Sequence, residues 1–160
     1  MRASKRNHQP ANRSGAVVVE TSVVLPVFFM FLFAIVEFGH CFMVIHAMNS
    51  AASQAARAGI GDSATTAQVI SRAKQILGSA INANHENVVV SVKDASAFDD
   101  PSFNPSTINY SSLPDVEVAD LPSRSLFIVR VQVPYSEMGI LGPVWITTGN
   151  LYGQSVMRKE

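Results

Sequence analysis

Residues 16–36 are apolar except for Glu20, Thr21, Ser22 and Pro26. Coiled as a helix at about 1.5 Å per residue, that run reaches about 30 Å, the thickness of a bilayer's hydrocarbon core. A soluble core helix rarely needs such a stretch, so the N-terminal part of the chain is expected to lie in a membrane. A cleaved secretory signal would carry a shorter apolar region, about 7–15 residues, ending in small residues around the cut. Here the run continues into Glu37-Phe38-Gly39-His40. The apolar helix is therefore expected to be retained.

Charge sets its direction. Arg2, Lys5, Arg6 and Arg13 precede Gly15 with no acid among them, while the rest of the chain carries eight basic and twelve acidic residues. Basic residues beside an apolar span stay cytoplasmic, which predicts a single pass with the N-terminus inside and the following domain extracytoplasmic. The same topology accounts for the basic cluster without nucleic acid as a partner. Cys41 is the only cysteine, so no intrachain disulfide is possible.

A chain of 160 residues has room for an anchor and one modest domain. Three segments are predicted: a basic leader at 1–15, a long helix at 16–58 with its transmembrane part at about 16–38, and a domain at 59–160. The helix continues past the span because nothing breaks it before Gly59. Ala47, Ala51 and Ala55 recur every fourth residue with Ala52 and Ala56 beside them, a row of small residues that another element can approach closely. A second helix is predicted from Thr65, where Thr65-x-x-Gln68 fits a capping box. Its stripe is Val69, Ile70, Ala73, Ile76, Leu77, Ala80 and Ile81.

Strands are predicted at 86–93 and 125–135, the latter alternating Phe127, Val129, Val131 and Val133 against Arg130 and Gln132. A last strand falls within 144–157, its limits blurred by Gly149 and Gly153. The fold class is α+β: a long transmembrane helix, then an amphipathic helix on an antiparallel sheet of three to four strands. Between the first two strands, the proline-rich and acidic stretch 95–124 is long for a plain connection. It contains a possible edge strand at 115–118 and lacks the regular oxygen-ligand spacing of calcium loops. It is expected to be a solvated excursion.

No nucleophile motif or catalytic constellation is present. His40 and His46 are six apart, which turns them about 120° from each other on a helix and prevents a shared metal. No enzyme activity, metal or cofactor is expected. The residue that asks for explanation is Glu20, since a charge within a bilayer helix costs about 2.5–3.5 kcal/mol on insertion scales and tends to mark function. Glu37 sits at the opposite boundary, where an acid is easily tolerated.

Basic leader, Gly15, then Glu20 five residues later and an apolar helix resembles the type IV prepilin signal. More closely, residues 15–42 resemble the TadE-like family of the tight-adherence (Tad) pilus system. The likeness is carried by Gly15, Glu20, Leu25-Pro26, Val36-Glu37-Phe38-Gly39 and the alanine-rich run to Gly59, with an echo in the tail from Gln154 to Glu160. Thr21 stands where a tyrosine is usual in this system's pilins and pseudopilins, and Ala16 where other pilins carry phenylalanine. The resemblance implies cleavage between Gly15 and Ala16 by a prepilin peptidase. It also implies a subunit-assembly role for Glu20, paired with the new α-amino group of a neighbour; such pairing is what makes a buried carboxylate tolerable. Pro26 removes the hydrogen bond to the Ser22 carbonyl and favours a kink.

The implied protein is a minor pilin-like structural or assembly component of a Tad-type pilus or secretion system in the bacterial inner membrane. Its partners would be the lipid bilayer, other pilin-like subunits and the pilus assembly machinery. The alternative is a signal-anchored single-pass envelope protein whose outer domain binds a partner without joining a filament.

Overall fold

A computed structural model describes residues 13–81, 87–104, 106, 108–138, 145–146 and 149–160. Arg2, Lys5, Arg6 and most of the basic leader, together with Glu86 and Val144 at two expected strand ends, lie outside the described residues. The chain divides into two compact units between Val36 and Glu37.

The first unit is the opening part of helix α1, Arg13–Ala58. From Val17 to Val36 its large apolar side chains stand exposed. This is a helix long and apolar enough to cross a membrane, with none of its most apolar window buried in the protein. The helix runs unbroken through Pro26. One turn earlier, the Ser22 hydroxyl donates to the Val19 carbonyl at 2.7 Å.

The second unit begins with the remainder of α1, and its fold is α+β as the residue pattern predicts. Val44, Met48, Ala51, Ala52, Ala55 and Ala56 are fully buried, so the row of small residues is the core face of this part of the helix. Helix α2, Thr66–Ala80, starts at the expected capping box. The Thr65 hydroxyl oxygen accepts from the Gln68 amide at 3.3 Å, and the Gln68 side chain accepts from the Thr65 amide at 3.2 Å. Val69, Ala73 and Leu77 form its buried stripe.

The helices pack on an antiparallel sheet of β1 (Val89–Asp94), β2 (Leu126–Pro134) and β3 (Asn150–Arg158), in that spatial order. Val129 lies opposite Val92 and Ser155, and Val131 opposite Val90 and Gly153. Phe127, Val129, Val131 and Val133 are completely buried, so the alternation read along β2 selects the core face. Gly153 is inside β3 and explains itself there. A Cβ at this position would lie 2.5 Å from Met48 Cβ and 2.7 Å from the Asn49 nitrogen. The strand touches the helix backbone, and only glycine permits that.

The stretch 95–124 is exposed over most of its described residues, in keeping with a solvated excursion, and carries a local aromatic cluster. Phe98 packs on Phe103 at 4.8 Å between centroids and on Tyr110 at 6.3 Å. The Arg130 guanidinium on β2 lies 5.4 Å from the Tyr110 ring centre and 4.2 Å from that of Tyr152 on β3. These aromatic residues give the long connection apolar surface of its own to bury, which a purely polar loop lacks. The edge strand at 115–118 shrinks to a single bridge between Lys93 and Asp115. Beyond it the chain enters a 3-10 turn at Val118–Asp120 and buries Val118. Lys159, buried near the C-terminus, fastens that turn by donating to the carbonyls of Val118 at 2.8 Å and Ala119 at 3.3 Å.

Candidate functional site

Gly15, Ala16, Glu20 and Pro26 all lie on the first part of α1. Glu20 and Ala16 are exposed side chains on an exposed apolar helix. Gly15 has open space around it, with nothing within 4 Å of where a Cβ would sit. Gly15 and Glu20 are five residues apart, about 7 Å along the axis, and point about 140° away from each other. Within one chain they form no joint site.

The second unit holds a site that the sequence reading passed over. Glu37, taken as a boundary acid, is instead buried to 9% exposure. Its carboxylate accepts from the Trp145 amide at 3.2 Å to each oxygen, and from the Ile146 amide at 2.9 Å. Its own backbone carbonyl accepts from the Tyr135 hydroxyl at 3.3 Å. Burying an ion is costly unless hydrogen bonds replace its water, and these amide donors do that. Tyr135 is almost fully buried. That burial, and then the negative charge of Glu37, pushes its hydroxyl above the ordinary tyrosine range. The hydroxyl therefore stays protonated and remains a donor.

A signal for Glu37 was present in the spacing. Glu37, Cys41, Val44, Met48, Ala51 or Ala52, and Ala55 or Ala56 follow the i, i+4, i+7, i+11 repeat of one helical face, and every one of them is buried. An acid on that stripe belongs to the core face of the second unit. Its partners could not be read, because backbone amides more than a hundred residues away have no side-chain signature.

The two parts together define a class: a helix-anchored α+β protein whose first helix is exposed and apolar at one end and core-forming at the other. The family model described as TadE-like protein matches residues 15–57, which is α1 from just inside its start to one residue before its end. The match agrees with the resemblance carried by Gly15, Glu20 and the alanine-rich run, and it leaves α2 and the sheet unmatched. No curated protein and no solved structure matches the chain.

Proposed function

We propose that this chain is a minor pilin-like component of a bacterial Tad-type pilus or secretion system, with a structural or assembly role and no enzymatic one. The observation that carries this reading is the TadE-like match over a helix that contains both Gly15 and Glu20. A solvent-incompatible first half of α1 supports anchoring in the inner membrane by a single pass. The charge of Arg2, Lys5, Arg6 and Arg13 supports a cytoplasmic N-terminus and an extracytoplasmic domain.

In the proposed assembly step, a prepilin peptidase cuts after Gly15, where the absence of a side chain leaves the backbone accessible. The freed Ala16 amine of one subunit then pairs with the exposed Glu20 carboxylate of another, neutralising both charges within the bilayer. The other partners are pilin-like subunits and the assembly machinery.

Intact mass of the protein purified from cells expressing the peptidase tests this. The wild type should begin at Ala16, and Gly15→Val should remain full length in the membrane. Glu20→Ala should still be cut but fail to co-purify with other subunits. A wild-type mass that retains residues 1–15 would refute the processing step.

A further inference from the structure

The sheet turns one face toward the helices and the other away from them. On that second face Ser91, Arg130 and Gln154 stand in one row across the strands. The rows beside it are Val89, Gln132 and Tyr152 on one side and Lys93, Ile128 and Val156 on the other. The connection 95–124 packs over one end of the face through its turn at Ser96–Asp99, and Ile128 is buried there. At the other end Val89 and Tyr152 are 55% and 42% exposed. Arg130 lies where the cover gives way to open sheet. Its guanidinium carbon is 4.2 Å from the centre of the Tyr152 ring and 5.4 Å from that of Tyr110, which belongs to the cover.

Each strand contributes one cation to this face: Lys93, Arg130 and Arg158. Two of them are neutralised. Lys93 Nζ is 2.9 Å from the Asp115 carboxylate, and Arg158 Nη2 is 2.6 Å from that of Asp99. The Arg130 guanidinium forms neither an ion pair nor a hydrogen bond with the described residues, and its Nε is buried without a partner. A fork of donors left empty is unusual in a folded protein, where buried polar groups are nearly always paired. The tyrosine rings attract the charge but supply no acceptor for its N–H groups. With Nε buried, the two terminal nitrogens are the ones within reach of a ligand. A carboxylate matches that end of the fork with two parallel hydrogen bonds.

We infer that Arg130, flanked by Tyr110 and Tyr152, is a binding site for one carboxylate of an acidic peptide segment on a partner protein. The charge count selects the carboxylate. One positive charge on the face is uncompensated, so a single negative charge balances it. A phosphate dianion would leave surplus negative charge near Asp99 and Asp115. The apolar surroundings select a peptide over a bare ion. Residues on either side of the carboxylate would cover Val89, Tyr152 and Val156, and Ser91, Gln132 and Gln154 offer hydrogen bonds to its backbone. The site lies wholly within the second unit and does not depend on the pilus reading.

Titration of the full-length protein in uncharged detergent micelles at neutral pH tests this, followed by the proton–nitrogen resonance of the Arg130 Nε–H group. The Arg130→Lys spectrum, which lacks that signal, assigns it. Acetyl-Ala-Glu-Ala-amide should shift the signal saturably. Acetyl-Ala-Gln-Ala-amide should bind about tenfold more weakly, the difference between a charge-assisted and a neutral hydrogen bond. Acetate should also bind more weakly than the glutamate peptide. Absence of a saturable shift, or equal binding of the two peptides, would overturn the site. Inorganic phosphate binding more tightly than the glutamate peptide would overturn the carboxylate assignment, and acetate binding equally well would overturn the peptide. A shift that follows protein density without added peptide would place a second copy there instead of a partner. Arg130→Lys keeps the charge and loses the fork, so the peptide should bind it about tenfold more weakly, read from the backbone amides of Ser91 and Gln154. The dispersion of the same spectrum shows whether that variant is folded, and the wild-type arms alone suffice to overturn the site. Unchanged affinity in folded Arg130→Lys would refute the role of the fork.

Discussion

Replacing Gly153 by alanine adds one methyl group at the closest approach of sheet and helix. That methyl carbon would lie 2.5 Å from Met48 Cβ and 2.7 Å from the Asn49 nitrogen, against ordinary contact beginning near 3.4 Å. The shortfall is therefore about 0.7–0.9 Å, and the atoms in the way belong to the helix itself rather than to the far end of a flexible side chain. Rotamer changes cannot relieve it, so β3 and α1 must part. Over-packing of this kind costs about 1–3 kcal/mol, and a rigid neighbour puts it at the upper end. Alanine's smaller unfolded-state entropy returns about 0.4–1 kcal/mol. A net loss of about 2 kcal/mol remains, which for a domain of this size lowers Tm by about 6–10 °C. Thermal unfolding of the full-length protein in detergent micelles, followed by near-UV circular dichroism, reads this change. Gly61→Ala is the control, since a Cβ there meets nothing within 4 Å; its Tm should be unchanged. A Gly153→Ala protein as stable as Gly61→Ala would refute the close approach.

Two further outcomes follow from the same sheet and from the turn beside α2. Val129→Asp places an unpaired carboxylate at a completely buried position and should unfold the α+β domain; Arg130→Ala should cost only about 1–2 kcal/mol, the worth of two partly exposed cation–π contacts, as read by the same melting assay. The Glu117 carboxyl is held below the usual carboxylate range, chiefly because the Thr66 amide donates to it at 2.7 Å. Its stabilising contribution is complete above the pKa it would have in the unfolded chain, about 4.3, and is lost as pH falls through the lower folded value. Glu117→Gln should therefore flatten the acid limb of Tm against pH, and an unaltered acid limb would show that the contact contributes nothing.

How much of this was legible differs from element to element. The periodic elements were readable because their signals are local: Thr65 and Gln68 are three residues apart, and the alternation of Phe127, Val129, Val131 and Val133 is written within one strand. Within the exposed stretch 95–124, the local packing of Phe98, Phe103 and Tyr110 went unread because these residues are scattered among prolines and acids with no period to announce them. Lys159 reads as an ordinary terminal lysine until its ammonium is found among carbonyls of a turn about forty residues earlier. Glu37 was the costliest omission. Judged against the bilayer it is a boundary acid, but judged against the stripe that continues to Ala55 it is a core residue. The same helix carries both frames, and the membrane frame obscured the other. Glu20 stood out by the cost of a charge in a bilayer helix and Pro26 by its missing donor, whereas the processing role of Gly15 and the pairing role of Glu20 came from resemblance alone, since the geometry of a lone exposed helix says nothing about what a second subunit would bring.

The contact between Gly153 and α1 also governs when the α+β domain can exist. Asn49 and Gln154, joined by a 3.0 Å hydrogen bond, are 105 residues apart in the chain, so this segment of α1 is completed by a strand synthesised much later. A loop of that length must close before the contact returns any energy, which makes formation slow compared with that of locally connected helices. Until β3 is made, the face of Val44, Met48 and Ala51 lacks that strand's cover. The nascent chain therefore carries an apolar helix complete well before a domain that closes only once β3 is made, and the interval between those events is when holding factors or premature association between chains would act on it.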